Sequence, residues 1–357
     1  MTHNTSMRNL YLILTLAGVA ALAQPAPAQT GGVHIYHVRG PIYVLLGAGG
    51  NITVSVGRDG VLVVDSGTAN MTDQVLAAIQ QLQGGAATNG LTELHYGAET
   101  RSSLRVTLDT NAPPKPIRYI INTHAHADHT GGNEKLAKAG RTLTGGNVTG
   151  QISDVGETAT LIAQQNVLRR MSAPPAAGQP AIPFGALPTD TFTSDMKLSH
   201  FFNGDGIQMI HLPAAHTDGD SIVYFRASDV ISAGDIFVTT SYPVIELASG
   251  GSINGEIDAL NRILDLCIPE FRLEGGTLVV PGHGRLGDAA DVAYYRDMTT
   301  IIRDRIQSMI DQKWTLEQVK AAKPTLDYDP RYGSNSGFWT TDLFVEAVYK
   351  SLSNLKR

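Results

Sequence analysis

His124, His126, Asp128 and His129 fall within six residues, in the run His124-Ala-His-Ala-Asp-His129. Imidazoles and a carboxylate at that density form a donor set suited to zinc or another borderline divalent metal. The mostly apolar run Tyr119 to Ile121 precedes the cluster and Thr130-Gly-Gly132 follows it, so the donors sit at the mouth of a strand. Side chains two residues apart in an extended segment project the same way, which aims His124 and His126 at one ion. The chain must then turn, and Asp128 and His129 project from the turn toward a second ion. A lone histidine is more often structural than ligating, but four donors packed this closely are a metal signal.

The segment Thr123 to Asn133, THAHADHTGGN, resembles the H-x-H-x-D-H signature of the metallo-β-lactamase-fold hydrolases. Three later motifs, each just after an apolar run, extend the resemblance: His216 in AAHTDGD, Asp235 in ISAGDIF and His283 in VVPGHGR. It spans roughly Val33 to Asp304. Periodicity alone says α/β; the resemblance implies a four-layer αββα sandwich, two mixed sheets packed face to face with helices outside. It also implies two Zn(2+) ions, the first held by His124, His126 and His216, the second by Asp128, His129 and His283, with Asp235 bridging them. A hydroxide held between two such ions is a nucleophile for a carbonyl carbon without any Ser or Cys, and Asp128 would orient it. Asp65 ends the apolar run GVLVVDSG, where a carboxylate can accept the second ring N–H of a ligating histidine, the role of the family's aspartate at this place. The plainer reading of Asp65 is a residue that begins the next turn.

An exported member of this family suggests β-lactamase-like opening of a cyclic amide. The resemblance also holds a warning: zinc β-lactamases of this fold commonly carry Cys or Ser where this chain has Asp235, whereas lactonases and thioesterases carry a bridging Asp. The alternative is therefore a lactonase or (thio)esterase, although Val238 stands where acyl-homoserine lactonases place a tyrosine, and no basic C-terminal pattern suits glutathione. A reading of another class is a binding module in which the metals only hold the fold. The complete set of seven ligands argues against it, since a structural zinc closes its shell. A redox variant with iron is a third class, but family members of that kind usually alter the Asp128 position or use one iron. In the run from Thr239 to Asn254, Tyr242 and Ser252 are either substrate contacts or ordinary turn residues.

The chain has 357 residues, 42% of them hydrophobic, enough to bury a substantial core. A net charge of -6 and the absence of a basic cluster argue against nucleic acid, and the resemblance implies a small-molecule carbonyl substrate as the partner. Cys267 is the one cysteine, which excludes a disulfide within the chain and reads as a small core residue. Residues 1–28 read as a signal peptide: Arg8, the apolar run Leu10 to Ala23, and an Ala26-Pro-Ala28 cleavage site. A second site ends at Ala23, and Met7 is an alternative start. The apolar run is short for a membrane span, so the mature protein is expected in the periplasm or beyond, with no stable span after processing.

The expected hydrolase domain covers 29–311, and 312–357 forms a C-terminal helical extension. From Val33, glycine-punctuated β-branched runs predict a meander of hairpins. A helix is expected over Asn70 to Gln83 with Asn70 as its cap, and another from Gly132 to Lys138, its N-terminus toward the metals. Between these lies an apparent insertion, Gly84 to Pro116, read as a surface loop or lid edge. A helical pattern covers Gly156 to Arg170, and the proline-rich Ser172 to Pro188 reads as an ordered loop over the site, with Ile182 and Phe184 lining an apolar pocket. Strands ending at His216, Asp235 and His283 alternate with helices at Gly255 to Leu266 and Asp288 to Met309. Amphipathic patterns at Thr315 to Ala322 and Thr340 to Leu355 predict two tail helices, packed on the body or offered to a second copy. N-terminal sequencing of the protein from a periplasmic fraction should begin at Gln29; an intact leader in the cytosol would overturn the reading.

Overall fold

The computed structural model describes residues 32–89, 115–142, 158–175, 178–267 and 275–354. The expected leader and most of the apparent insertion lie outside them. Strands β1 (His34–Arg39), β2 (Ile42–Leu46), β3 (Ile52–Gly57) and β4 (Gly60–Val64) form an antiparallel meander. Parallel strands β5 (Ile117–Asn122), β6 (Thr160–Gln164) and β7 (Asp190–Phe192) extend it into a seven-stranded sheet in chain order. The second sheet has six strands: β8 (Asp195–Lys197), β9 (Ile207–His211), β10 (Ser221–Phe225), β11 (Val230–Ser232), β12 (Leu278–Val280) and β13 (Gly287–Asp288). Only its β11–β12 pair is parallel.

The two-residue period of the strands builds the layers. Along β4, Leu62 and Val64 point into the core between the sheets, while Val61 and Val63 point to the outer face of the first sheet. Along the second sheet, Val223, Phe225 and Val230 meet them from the opposite side, and Ile222, Ile231 and Val279 face outward. Helices α1 (Thr72–Asn89), α2 (Ala127–Thr130) and α3 (Asn133–Ala139) lie on the first sheet's side, where Val75, Ile79 and Leu136 cover the outer face. After α4 (Gln165–Met171), helices α5 (Ile253–Leu266) and α6 (Ala289–Asp311) cover the second sheet through Leu260, Ile263, Tyr295 and Ile302. The result is the four-layer αββα sandwich. The tail helices α7 (Leu316–Ala321), α8 (Asp329–Tyr332) and α9 (Thr341–Asn354) join the same outer core through Val319, Tyr332, Phe344 and Val348, so they pack on the body. Among the described residues no helix is long and apolar enough to cross a membrane.

Several elements differ from expectation. The first helix starts later, at Thr72, because Asn70 lies inside a 3-10 turn at Ala69–Met71, and it runs on to Asn89 through the start of the apparent insertion. Thr160–Gln164 is strand rather than helix. Four of its five residues are buried between β5 and β7, and a parallel strand covered on both faces has a continuous apolar run that periodicity cannot tell from a buried helix. Within the described part of the proline-rich loop, Phe184–Ala186 forms a 3-10 turn, tied to α3 where the Asn133 side-chain amide donates to the Ala186 carbonyl (3.0 Å). Phe184 is 90% exposed and Ile182 41%, so neither is enclosed by a pocket. Phe225 is fully buried between the sheets, and Phe225→Ala should lower unfolding stability in urea by about 3–5 kcal/mol. A loss below about 1 kcal/mol would contradict its place in that core.

Candidate metal centre

β4 and β5 run parallel, so their C-terminal ends deliver Asp65 and the Thr123–His126 segment side by side. One Asp65 oxygen accepts the Thr123 backbone N–H, and the other accepts the Thr123 hydroxyl and lies against His129 Nδ1, all at 2.8 Å. His129 therefore donates from Nδ1 and turns Nε2 toward the cluster. Asp65 holds a φ of 64°, a left-handed conformation tolerated by Asp and found where a site dictates the backbone. From the second sheet, the loop after β9 brings His216, whose Nδ1 donates to the Val244 carbonyl at 2.6 Å. A 3-10 turn after β11, Gly234–Ile236, carries Asp235, and the loop after β12 carries His283.

All seven predicted residues come together, as two groups. In the first, His126 Nδ1 lies 3.1 Å from His124 Nε2 and 3.1 Å from His216 Nε2. In the second, His283 Nε2 lies 3.2 Å from Asp128 Oδ2 and 3.4 Å from His129 Nε2. Asp235 lies between them: Oδ2 is 3.8 Å from His124 Nε2, while Oδ1 is 3.2 Å from His129 Nε2 and 3.4 Å from His283 Nε2. Tetrahedral coordination with bonds of 2.0–2.1 Å sets donors about 3.3 Å apart, so these spacings fit a metal. The hydrogen bonds point the same way. With Nδ1–H of His216 spent on Val244, its Nε2 lone pair faces His126, and Asp235 Oδ1 is buried without a hydrogen bond. Lone pairs aimed at one another are stabilised by a cation between them.

The crowded groups shift one another's ionisation. Burial and the neighbouring His129 hold His124 well below the usual imidazole range. Burial opposes charge on His129, yet Asp235, Asp65 and Asp128 outweigh it and raise that imidazole well above its usual value. The same contest, with Asp235 and Asp128 prevailing over burial, pushes His283 up to about 9. Burial alone would raise Asp128, but His129 and His283 bring it down to about 2. His124, His129 and Asp235 are enclosed, whereas the side chains of His126, Asp128 and His283 are about a third exposed (33%, 33% and 32%), so the cluster opens to solvent on one side.

Glycines allow the loops to close this tightly. A Cβ on Gly282 would fall 2.0 Å from Asp235 Oδ1, and one on Gly50 2.4 Å from the His129 ring. Asn51 links the halves: its N–H donates to the Gly282 carbonyl (2.7 Å), and its side-chain amide donates to the Pro281 (2.9 Å) and Gly284 (3.0 Å) carbonyls around His283. No motif in the sequence marks Asn51 or Glu246, whose Oε1 lies 2.9 Å from His126 Nε2. The one signal for Glu246 is that it is the sole acidic residue between Thr239 and Asn254. The two residues singled out there are structural. Tyr242 is 1% exposed, with its hydroxyl on Asp329 and the Thr325 carbonyl, and Ser252 caps α5 by accepting from the Gly255 N–H.

Residues 46–283 match the profile of the Metallo-beta-lactamase superfamily, and the chain belongs to that superfamily. Its members are largely metal-dependent hydrolases, and the two donor groups here could hold such metals. A search of curated proteins finds no match. The stereoselective inverting sec-alkylsulfatase Pisa1 from Pseudomonas sp. shares the fold at 14% identity and a TM-score of 0.56, over 89% of this chain and 50% of its own. The present chain thus spans about half the length of that sulfatase. The metallo-beta-lactamase from Pontibacter korlensis is similar at 14% identity and a TM-score of 0.48, over 75% of this chain and 99% of that one. The DIM-1 metallo-beta-lactamase is similar at 16% identity and a TM-score of 0.48, over 76% and 98%.

A metal ion held in this cluster would compete with protons for the same place. In metal-free protein the raised value of His283 contributes stability that is fully present below its unfolded value near 6.5 and is lost as pH rises through about 9. His129, also raised, acts in the same direction. Urea denaturation of the chelated protein should therefore show stability falling between pH 6.5 and 9. A flat or rising profile would contradict the ion pairing.

Proposed function

We propose that the chain is an exported dinuclear zinc hydrolase that opens an acyl bond in a small-molecule carbonyl compound. His124, His126 and His216 would hold the first ion, Asp128, His129 and His283 the second, with Asp235 between the two. The observation that carries this reading is the convergence of both donor groups on opposite oxygens of one buried carboxylate, open to solvent at His126, Asp128 and His283. Two zinc ions, when bound, bring water's pKa into the neutral range and polarise the acyl oxygen. The protein's own groups set the frame for that chemistry. Asp128, ionised and at the open face, is placed to accept a hydrogen bond from attacking water and orient it. Asp65 and the Val244 carbonyl hold His129 and His216 with Nε2 turned inward. Cys267, buried in the outer core of the second sheet, supplies no nucleophile there.

β-Lactamase-like opening of a cyclic amide is the leading activity, in keeping with superfamily membership and with the leader read at residues 1–28. Lactone or thioester hydrolysis is the second reading, favoured by the carboxylate of Asp235 at the shared position. The test is turnover of a chromogenic cephalosporin, a lactone, a thioester and an alkyl sulfate by zinc-loaded mature protein, each with a chelator control. Chelator-sensitive cephalosporin opening ahead of the esters is expected; faster lactone or thioester turnover would select the second reading. Turnover of the sulfate alone would overturn the carbonyl assignment, and two bound ions with no turnover would leave a binding module. His126→Ala and Asp128→Ala should each reduce the rate by about 100-fold or more while leaving the protein folded.

A further inference from the structure

We propose that Glu246 is a positioning residue for the first ion: it fixes the His126 ring, and the loop that carries it ties that ion's ligands to the C-terminal helices. The inference rests on the two-ion reading of the cluster. Of the first group's three histidines, His124 and His216 are buried and held by their surroundings, but the His126 side chain is 33% exposed. Packing therefore does little to choose its ring orientation or tautomer, and a hydrogen bond must. Glu246 Oε1 lies 2.9 Å from His126 Nε2, and an ionised carboxylate only accepts. The proton is thereby placed on Nε2, and Nδ1 presents its lone pair to the point shared with His124 and His216.

The same loop serves a second ligand. The Glu246 backbone N–H donates to the His216 carbonyl (3.0 Å), and the Val244 carbonyl takes the His216 ring proton. Residues 244–246 thus hold two of the first ion's histidines. The second group is held from elsewhere, His129 by Asp65 and the His283 loop by Asn51. Just before this turn, Tyr242 stacks on Phe344 at 4.7 Å with planes 3° apart, and its hydroxyl donates to Asp329 (2.8 Å). Phe344 and Asp329 belong to the tail helices, beyond residue 283 where the superfamily match ends. The tail is in this way the far support of a loop whose near end orients the first ion's ligands.

The experiment is calorimetric titration of chelated protein with zinc, in two backgrounds: His283→Ala, which leaves only the first group complete, and His216→Ala, which leaves only the second. Glu246→Ala should weaken zinc binding by about 10–100-fold in the first background and leave it within about threefold in the second. Glu246→Gln keeps an acceptor and should recover most of the loss. Tyr242→Phe retains the stack but loses the hydroxyl bond, and should weaken the first site alone, by less than Glu246→Ala. Unchanged first-site affinity in Glu246→Ala, or equal weakening of both sites, would overturn the proposal; unchanged affinity in Tyr242→Phe would overturn the link to the tail. The readout is metal binding, so a protein that binds two ions without hydrolysing anything would sink the hydrolase reading while leaving this one standing. A wild-type chain that binds no zinc would overturn both.

Discussion

The buried carboxylate of Asp235, with one oxygen toward each group of imidazoles, is the interaction on which the rest of the structure depends. An ionised carboxylate is stable out of water only when opposite charge lies close by, and imidazoles crowded tip to tip are stable only when something positive stands between them. Each condition answers the other: His129 and His283 hold Asp235 well below the usual carboxylate range despite its burial, and the carboxylates raise those two imidazoles in return. A fold that gathers these groups has prepared a place for cations: protons in metal-free protein, and metal ions under the proposed function.

Meeting that requirement takes both halves of the sandwich. The first sheet brings Asp65 and the His124–His129 segment at the ends of two parallel strands; the second brings His216, Asp235 and His283 from the ends of β9, β11 and β12. The inter-sheet core aligns the two sets, but side-chain packing alone would not bring loops from opposite sheets within a few ångströms. Gly50 and Gly282 remove the side chains that would keep the loops apart, and Asn51 supplies the hydrogen bonds that hold them together. The contacts around the candidate ligands are as much a part of the centre as those residues themselves, since a histidine presents one nitrogen inward only when the other is engaged.

Local pattern was enough to read much of this chain. H-x-H-x-D-H writes its geometry into six consecutive residues, because strand pleat and the following turn dictate where each donor points. His216, Asp235, His283 and Asp65 were legible through the family resemblance, which supplied their roles; each follows an apolar run within a few residues, and that placement alone would not have marked them as ligands. The β1–β4 meander and most helices carried equally local signals of turn residues and apolar spacing.

What the tertiary structure decided is what depends on partners distant in sequence. Thr160–Gln164 is strand because β5 and β7 flank it, which no period within five residues can express. Tyr242 belongs to the core and Ser252 to a helix cap, whereas Glu246, in the same loop, reaches a histidine 120 positions earlier in the chain. Phe184 and Ile182, apolar enough to suggest a pocket, face solvent, in a loop whose Ala186 carbonyl accepts from the Asn133 side chain. That His124, His126, Asp128 and His129 could bind metal was written in their types and spacing, and the other three candidates in a family resemblance; how each ring is turned was settled by the hydrogen bonds and packing that the fold brings to it.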